Sequence, residues 1–196
     1  MTGVQTCALP IFSDALEGIN WVLYHAREYN IRVMNISLAA QSTDSYDGDP
    51  LCEAVRMATS MGITVVVAGG NFGLSLLGKE VYGTIASPGI EPSAITVGAA
   101  NYLATTARSD DKVTNFSSRG PSRGAWVDPT TNQVSHDNVL KPDLVAPGNK
   151  VVGASATQAS ATTPTKNTVA TLFPTVETSA ASPTVYGQRL MMLSGT

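Results

Sequence analysis

The feature that most constrains this chain is a pair of short, almost wholly apolar runs, Thr64-Val65-Val66-Val67-Ala68 and Ala94-Ile95-Thr96-Val97-Gly98-Ala99. A strand with one wet face alternates polar and apolar residues. A strand this apolar throughout belongs to a parallel sheet covered on both faces. A third run, Ile31 to Leu38, reads the same way, and helical patterns precede the first two strands in chain order. Parallel neighbours need long crossovers, which helices supply. The expectation is an α/β fold in three layers, a largely parallel central sheet flanked by helices.

The helices are marked by spacing and punctuation. Leu16, Ile19, Val22, Leu23 and Ala26 recur at three- and four-residue intervals, with Ser13 as the expected cap of the first turn. The second helix opens on Asp49 as cap and Pro50 in the first turn. It carries Leu51, Ala54, Val55 and Ala58 inward and stops at Gly62. Between Pro121 and Lys141 lies a polar insertion, and from Ala154 to about Val185 the chain is rich in Ser, Thr, Ala and Pro with little periodicity. Both read as surface loops, near 122–140 and 154–185.

Residues 1–11 stand apart. Thr2 to Ile11 match, residue by residue, the translation of a sequencing adapter read in one frame, so this leader is expected to be foreign to the fold. On that reading the domain is 12–196, a piece cut at both ends, and the lack of a signal peptide is uninformative.

Composition removes several function classes. A length of 196 residues suits one domain, and a charge of -3 provides no basic footprint for nucleic acid. No run is long and apolar enough to cross a bilayer, since Ile63 to Ala68 ends at Gly69-Gly70. Cys7 and Cys52 allow at most one bridge, so disulfides do not organise the fold.

In parallel α/β sheets ligands bind beyond the carboxyl ends of the strands. Three segments leave such ends: Ser37-Leu38-Ala39, Gly69-Gly70-Asn71-Phe72-Gly73, and the terminal Leu193-Ser194-Gly195-Thr196. Glycines let backbone approach a substrate, and an amide among them can donate to developing negative charge. Asn71 is therefore the sharpest single candidate. On those five residues alone, a turn asparagine with left-handed backbone is the simpler reading.

The ordered set of motifs changes that balance. Val33 to Leu38, Gly62 to Asn71, Pro92 to Ala99, Asn115-Phe116-Ser117-Ser118-Arg119-Gly120-Pro121 and Lys141-Pro142-Asp143-Leu144-Val145-Ala146-Pro147-Gly148 follow in order, and the chain ends in Ser194-Gly195-Thr196. Over Phe12 to Thr196 this resembles the subtilase family of subtilisin-like serine endopeptidases. The resemblance implies a partial subtilisin-like fold and acyl-enzyme hydrolysis of peptide bonds by an Asp, His, Ser triad. It places Asp and His upstream of the matched part and the nucleophile one residue past Thr196, so the 196 residues are expected to be inactive alone.

What the resemblance assigns within the chain is binding apparatus. Asn71 would be the side-chain donor to the oxyanion, and Ser37, Leu38, Ala39, Ala68, Gly69 and Gly70 would line the main specificity cleft. Relatives often have glycine where Ala39 stands, which implies a slightly narrower cleft. Asp143 matches a position that in some relatives helps a weak cation site beside Gly89, Glu91 and Ala94, although a turn or capping role is as good a reading. Catalysis needs no cofactor on this view, with structural calcium left open for a longer parent. The Ser87–Pro88 bond is expected to be cis. The partner implied is a polypeptide, with no nucleic acid or membrane, for a secreted monomer.

His25, in the first helix, and His136, in the polar insertion, are poor candidates for the general base. His25 is expected to be exposed. Two other readings compete. A dinucleotide-binding domain would need a helix opening from Gly69-Gly70-Asn71-Phe72-Gly73 and an acid closing the next strand; Leu74 to Gly83 has no clear helix and Ala94 to Ala99 no acid. A catalytically dead subtilase-like module serving as binder or scaffold would preserve the same motifs.

Overall fold

The computed structural model of the chain describes residues 8–154, 177–178 and 190–196. Helix α1 spans Ala8–His25, strand β1 Val33–Ile36, helix α2 Pro50–Ser60, β2 Thr64–Ala68 and β3 Ile95–Asn101. Then come β4 at Lys112–Val113, β5 at Ala125–Val127, β6 at Val134–His136, β7 at Leu144–Pro147, β8 at Val151–Ala154, β9 at Glu177–Thr178 and β10 at Leu190–Leu193. The expected leader at 1–7, with Cys7, and most of the expected 154–185 insertion lie outside the described residues.

The central sheet is parallel through β1, β2, β3 and β7, with Met34 opposite Val65, Val67 opposite Thr96, and Val97 opposite Leu144. Val97 pairs with Ala68 as well as Leu144, so β2 and β7 take opposite edges of β3. Antiparallel β4 pairs Ala100 and Asn101 at the end of β3. The sheet is flanked by helices as expected of an α/β fold. Ile19 and Ala26 of α1, Leu51, Val55 and Ala58 of α2, and Met34, Ile36, Val65 and Val67 of the strands form one buried cluster.

Local chemistry explains α2. Asp49 sits in extended backbone and its carboxylate accepts from the Leu51 and Cys52 amides, satisfying two donors that the first turn leaves open. Pro50 follows at a position where no amide is needed, and Gly62 takes φ +84° just past the end.

Three expectations need correction. Helix α1 starts at Ala8, so Ser13 lies inside it rather than capping it; Pro10 falls in the first turn, where its missing N–H costs nothing. The strand expected over 31–38 pairs only over Val33–Ile36, and Val33 and Asn35 face outward, so among the described residues α1 and α2 cover one face of β1. The polar insertion is also not a plain loop. Antiparallel β5 and β6 make a hairpin within it, and Asp137 accepts from Ser45 Oγ at 2.8 Å and the Tyr46 amide at 2.9 Å.

Candidate active site

Strands β1, β2 and β7 run parallel, so the segments that follow them emerge on one edge of the sheet. Ser37-Leu38-Ala39 leaves β1 with Ser37 and Leu38 exposed, Ala68, Gly69 and Gly70 are buried at the end of β2, and Asn71 next to them is exposed. Gly148 and Asn149 leave β7. A small antiparallel sheet of β8 and β10 returns the last residues to that same place.

The contacts there are specific. The Gly195 amide donates to the Gly148 carbonyl at 2.8 Å, and the Lys150 amide donates to Ser194 Oγ at 2.9 Å. The Gly70 amide donates to Thr196 Oγ1 at 3.1 Å, while the Thr196 amide donates to Asn71 Oδ1 at 3.0 Å. Asn71 Nδ2 lies 3.4 Å from where a Cβ on Gly195 would stand. The amide of Asn71 thus sits against Ser194-Gly195-Thr196, residues separated from it by most of the chain. Because Oδ1 is occupied by the Thr196 N–H, the amide has one orientation, and Nδ2 is the atom turned to other acceptors.

Glycine is required where this packing is tightest. Gly70 adopts φ +103°, and a Cβ there would stand 2.9 Å from Ser118 Oγ and 3.1 Å from the Ala86 Cβ. At Gly148 a Cβ would collide with the Gly195 carbonyl and with Ala99. The same loop is braced from behind by Ser118, whose amide donates to the Gly70 carbonyl at 2.8 Å and whose Oγ accepts from the Phe72 amide at 3.1 Å.

The two walls meet on a short crosspiece, Ala86-Ser87. The Ala86 amide donates to the Gly69 carbonyl at 3.1 Å, while Ser87 and Ala40 exchange backbone bonds of 3.0 and 2.9 Å. Ser87 is fully buried and its hydroxyl donates to Asp49 Oδ1 at 2.8 Å, so the cap of α2 also fixes the crosspiece. The Ser87–Pro88 bond is cis, as expected from the sequence. Sequence reasoning missed Asp49, Ser87 and Ser118 as supports of the site. Asp49 carried a visible capping signal, but its second partner stands 38 residues away.

At the residues for which the resemblance left a weak cation site open, the structure places protein donors. Lys141, 3% exposed at its side chain, donates from Nζ to the Ala94 carbonyl and to Asp143 Oδ2, both at 2.7 Å. Asp143 Oδ2 also accepts from the Thr96 amide at 2.7 Å, the Gly89 carbonyl from Thr96 Oγ1, and buried Glu91 from Arg56 and Ser93. The Ala94 and Gly89 carbonyls, the Glu91 carboxylate and Asp143 Oδ2 thus have protein donors, and the Lys141 ammonium lies between the Ala94 and Asp143 oxygens. Among the described residues no group of three or more His, Cys, Asp or Glu is arranged to hold a metal. Burial pushes the Asp143 carboxyl up, but the Lys141 ammonium and the Thr96 amide outweigh it and hold the group below the ordinary range.

Neither histidine joins the site. His25 is half-buried rather than exposed, because the Trp21 and Tyr29 rings cover it, and its Nδ1 meets Glu28 at 2.8 Å. His136 lies exposed on β6. No helix opens from Gly69 to Gly73; the chain goes on to an isolated bridge between Leu74 and Glu80, which removes the arrangement a dinucleotide fingerprint requires. No described helix is long and apolar enough to cross a membrane.

The Subtilase family model matches residues 5–193. Serine protease AprX of Bacillus subtilis (strain 168) is 35% identical over 145 residues, which cover 71% of this chain and 28% of that protein. Among solved structures, Sphericase superposes with a TM-score of 0.50 at 27% identity, covering 71% of this chain and 39% of its own. The chain therefore spans well under half the length of both.

Proposed function

Because the chain belongs to the subtilase family, we propose that it is part of a serine endopeptidase in which Asn71 Nδ2 donates to the oxyanion formed when a substrate carbonyl is attacked. The observation that carries this reading is the pair of bonds joining Gly70 and Asn71 to Thr196. They set a side-chain donor beside the residue after which the attacking hydroxyl would follow. A preorganised donor favours the charge that develops in the transition state over the neutral carbonyl of the ground state.

Ser37, Leu38 and Ala39 form one wall of the substrate cleft in this reading and Ala68, Gly69 and Gly70 the other. The exposed Ser37-Leu38 wall suits an extended polypeptide, which can add strand-like hydrogen bonds there. The 196 residues hold the cleft and the donor but not the triad, and are inert alone. The whole protein acts outside the cytoplasm as a monomer, with no cofactor in the chemical step.

Reading the frame beyond both ends tests this. Serine directly after Thr196, with aspartate and histidine motifs upstream, is the expected result. Another residue at that place would favour a binding module without catalysis. In the protein carrying the nucleophile, Asn71→Leu should lower kcat about 100- to 1000-fold with KM little changed, a magnitude taken from subtilisin itself rather than worked from this geometry.

A further inference from the structure

Resting on the cleft reading above, we propose that Arg123 makes the far end of that cleft an anion-accepting subsite, which selects polypeptides presenting a glutamate or aspartate side chain there. Beyond the Ala86-Ser87 crosspiece, the segments leaving the two walls diverge. Residues 41–43 continue from Ala40, residues 83–85 lead into Ala86, and between them opens a cavity of about 330 Å³ closed by Arg123.

Arg123 is held there by its surroundings. Its alkyl stem lies across Gly83, where a Cβ would collide with Cγ, Cδ and Nε of the arginine. On one side the Ser122 amide donates to the Val139 carbonyl at 2.9 Å and Ser122 Oγ accepts from the Val139 amide at 3.0 Å. On the other, the Ala125 amide donates to the Thr43 carbonyl at 3.2 Å, tying the β5–β6 hairpin to the cavity wall.

The guanidinium has charge to offer. Among the described residues the ion pairs engage His25, Arg56, Arg119 and Lys141, and none engages Arg123. No carboxylate lines the cavity, whose remaining polar groups come from Gln41, Ser42, Thr43 and Thr84. Asp44 is next along the chain and exposed, and both oxygens of Asp137 are taken by Ser45 and Tyr46. A planar guanidinium over neutral hydroxyls and an amide recognises a carboxylate through two parallel N–H bonds, and offers nothing comparable to an ammonium or an alkyl group.

The test is equilibrium binding of acetylated tetrapeptide amides that differ only in the last residue, Glu, Gln, Leu or Lys, to the 196-residue chain by calorimetry. Because Arg123 is exposed, the expected preference for Glu over Gln is modest, about five-fold, and it should shrink as salt rises. Arg123→Gln should abolish it, and Arg123→Glu should turn it toward Lys. Equal binding of Glu and Gln peptides, or a Glu preference that survives in Arg123→Gln, overturns this proposal while leaving the cleft in place. If none of the peptides binds, the cleft reading itself fails, and the subsite with it.

Discussion

Asp49 is the residue whose removal should reveal how the helix and the cleft are joined. Its Oδ1 accepts from the Leu51 amide at 3.0 Å, the Cys52 amide at 3.1 Å and Ser87 Oγ at 2.8 Å, in a side chain of a residue only 3% exposed. Asp49→Ala takes away a helix cap, about 1 kcal/mol, and strands a buried Ser87 hydroxyl, about 1–3 kcal/mol, so the sum is about 2–4 kcal/mol. With a urea dependence of about 2 kcal/mol per molar, the unfolding midpoint should fall by about 1–2 M. Asp49→Asn keeps the accepting oxygen and should cost about a quarter to a half as much. Ser87→Ala should cost about 1 kcal/mol in the wild-type chain and close to nothing in Asp49→Ala, because there it removes the stranded hydroxyl. Urea titrations of the wild-type chain, the three single variants and the double variant, followed by far-UV circular dichroism, give these numbers. Additive costs, or an Asp49→Ala midpoint within about 0.3 M of wild type, would refute the claim that one carboxylate serves both helix and crosspiece.

Two further substitutions probe the same edge of the sheet. Gly70→Ala must place a side chain at φ +103° and against Ser118 Oγ, Ala86 and Phe72, so it should lose about 1–3 kcal/mol in the same titration; wild-type stability would mean the loop relaxes freely. Asp143 is held below the ordinary carboxylate range in the folded chain, so its contribution is present above that range and is lost as pH falls through it. Wild-type midpoints should therefore drop as pH falls below about 4, and Asp143→Asn should flatten that drop; parallel curves would contradict the Lys141–Asp143 pairing.

Legibility in the sequence followed the range of the forces involved. Helix α2 was readable to its ends because Asp49, Pro50 and Gly62 act within one turn of where they stand. The fold class was readable because parallel pairing demands continuous apolarity, which Thr64 to Ala68 displays. Strand β1 was overextended because an apolar run does not say where a neighbour stops pairing: β2 matches only Val33–Ile36, and Ser37-Leu38-Ala39 leaves the sheet to become a wall. The β5–β6 hairpin escaped notice because its anchor, Asp137 on Ser45, spans 92 residues and leaves no local trace. The turn at Asn132, with φ +55°, and the flanking valines were the only nearby signs.

The candidate site obeys the same rule at finer grain. A glycine announces that something must come close but not what comes. Gly70 was legible as a cleft residue from the order of the surrounding motifs, whereas Gly148 and Gly195 were legible only as members of two of those motifs. Their partners, Ser118 behind Gly70, the Gly195 carbonyl against Gly148 and Asn71 against Gly195, are known only from the fold. Charged groups are harder still, since their role depends on who neutralises them. Lys141 and Arg123 both follow the motif Asn115 to Pro121 and look alike as isolated cations. The first is buried between Ala94 and Asp143 oxygens, whereas the second closes a cavity with no acid in its walls. Lys141 therefore belongs to the scaffold, because its charge is already spent within the protein. Arg123 keeps a field directed at whatever enters, which is the physical condition for a residue to choose among substrates.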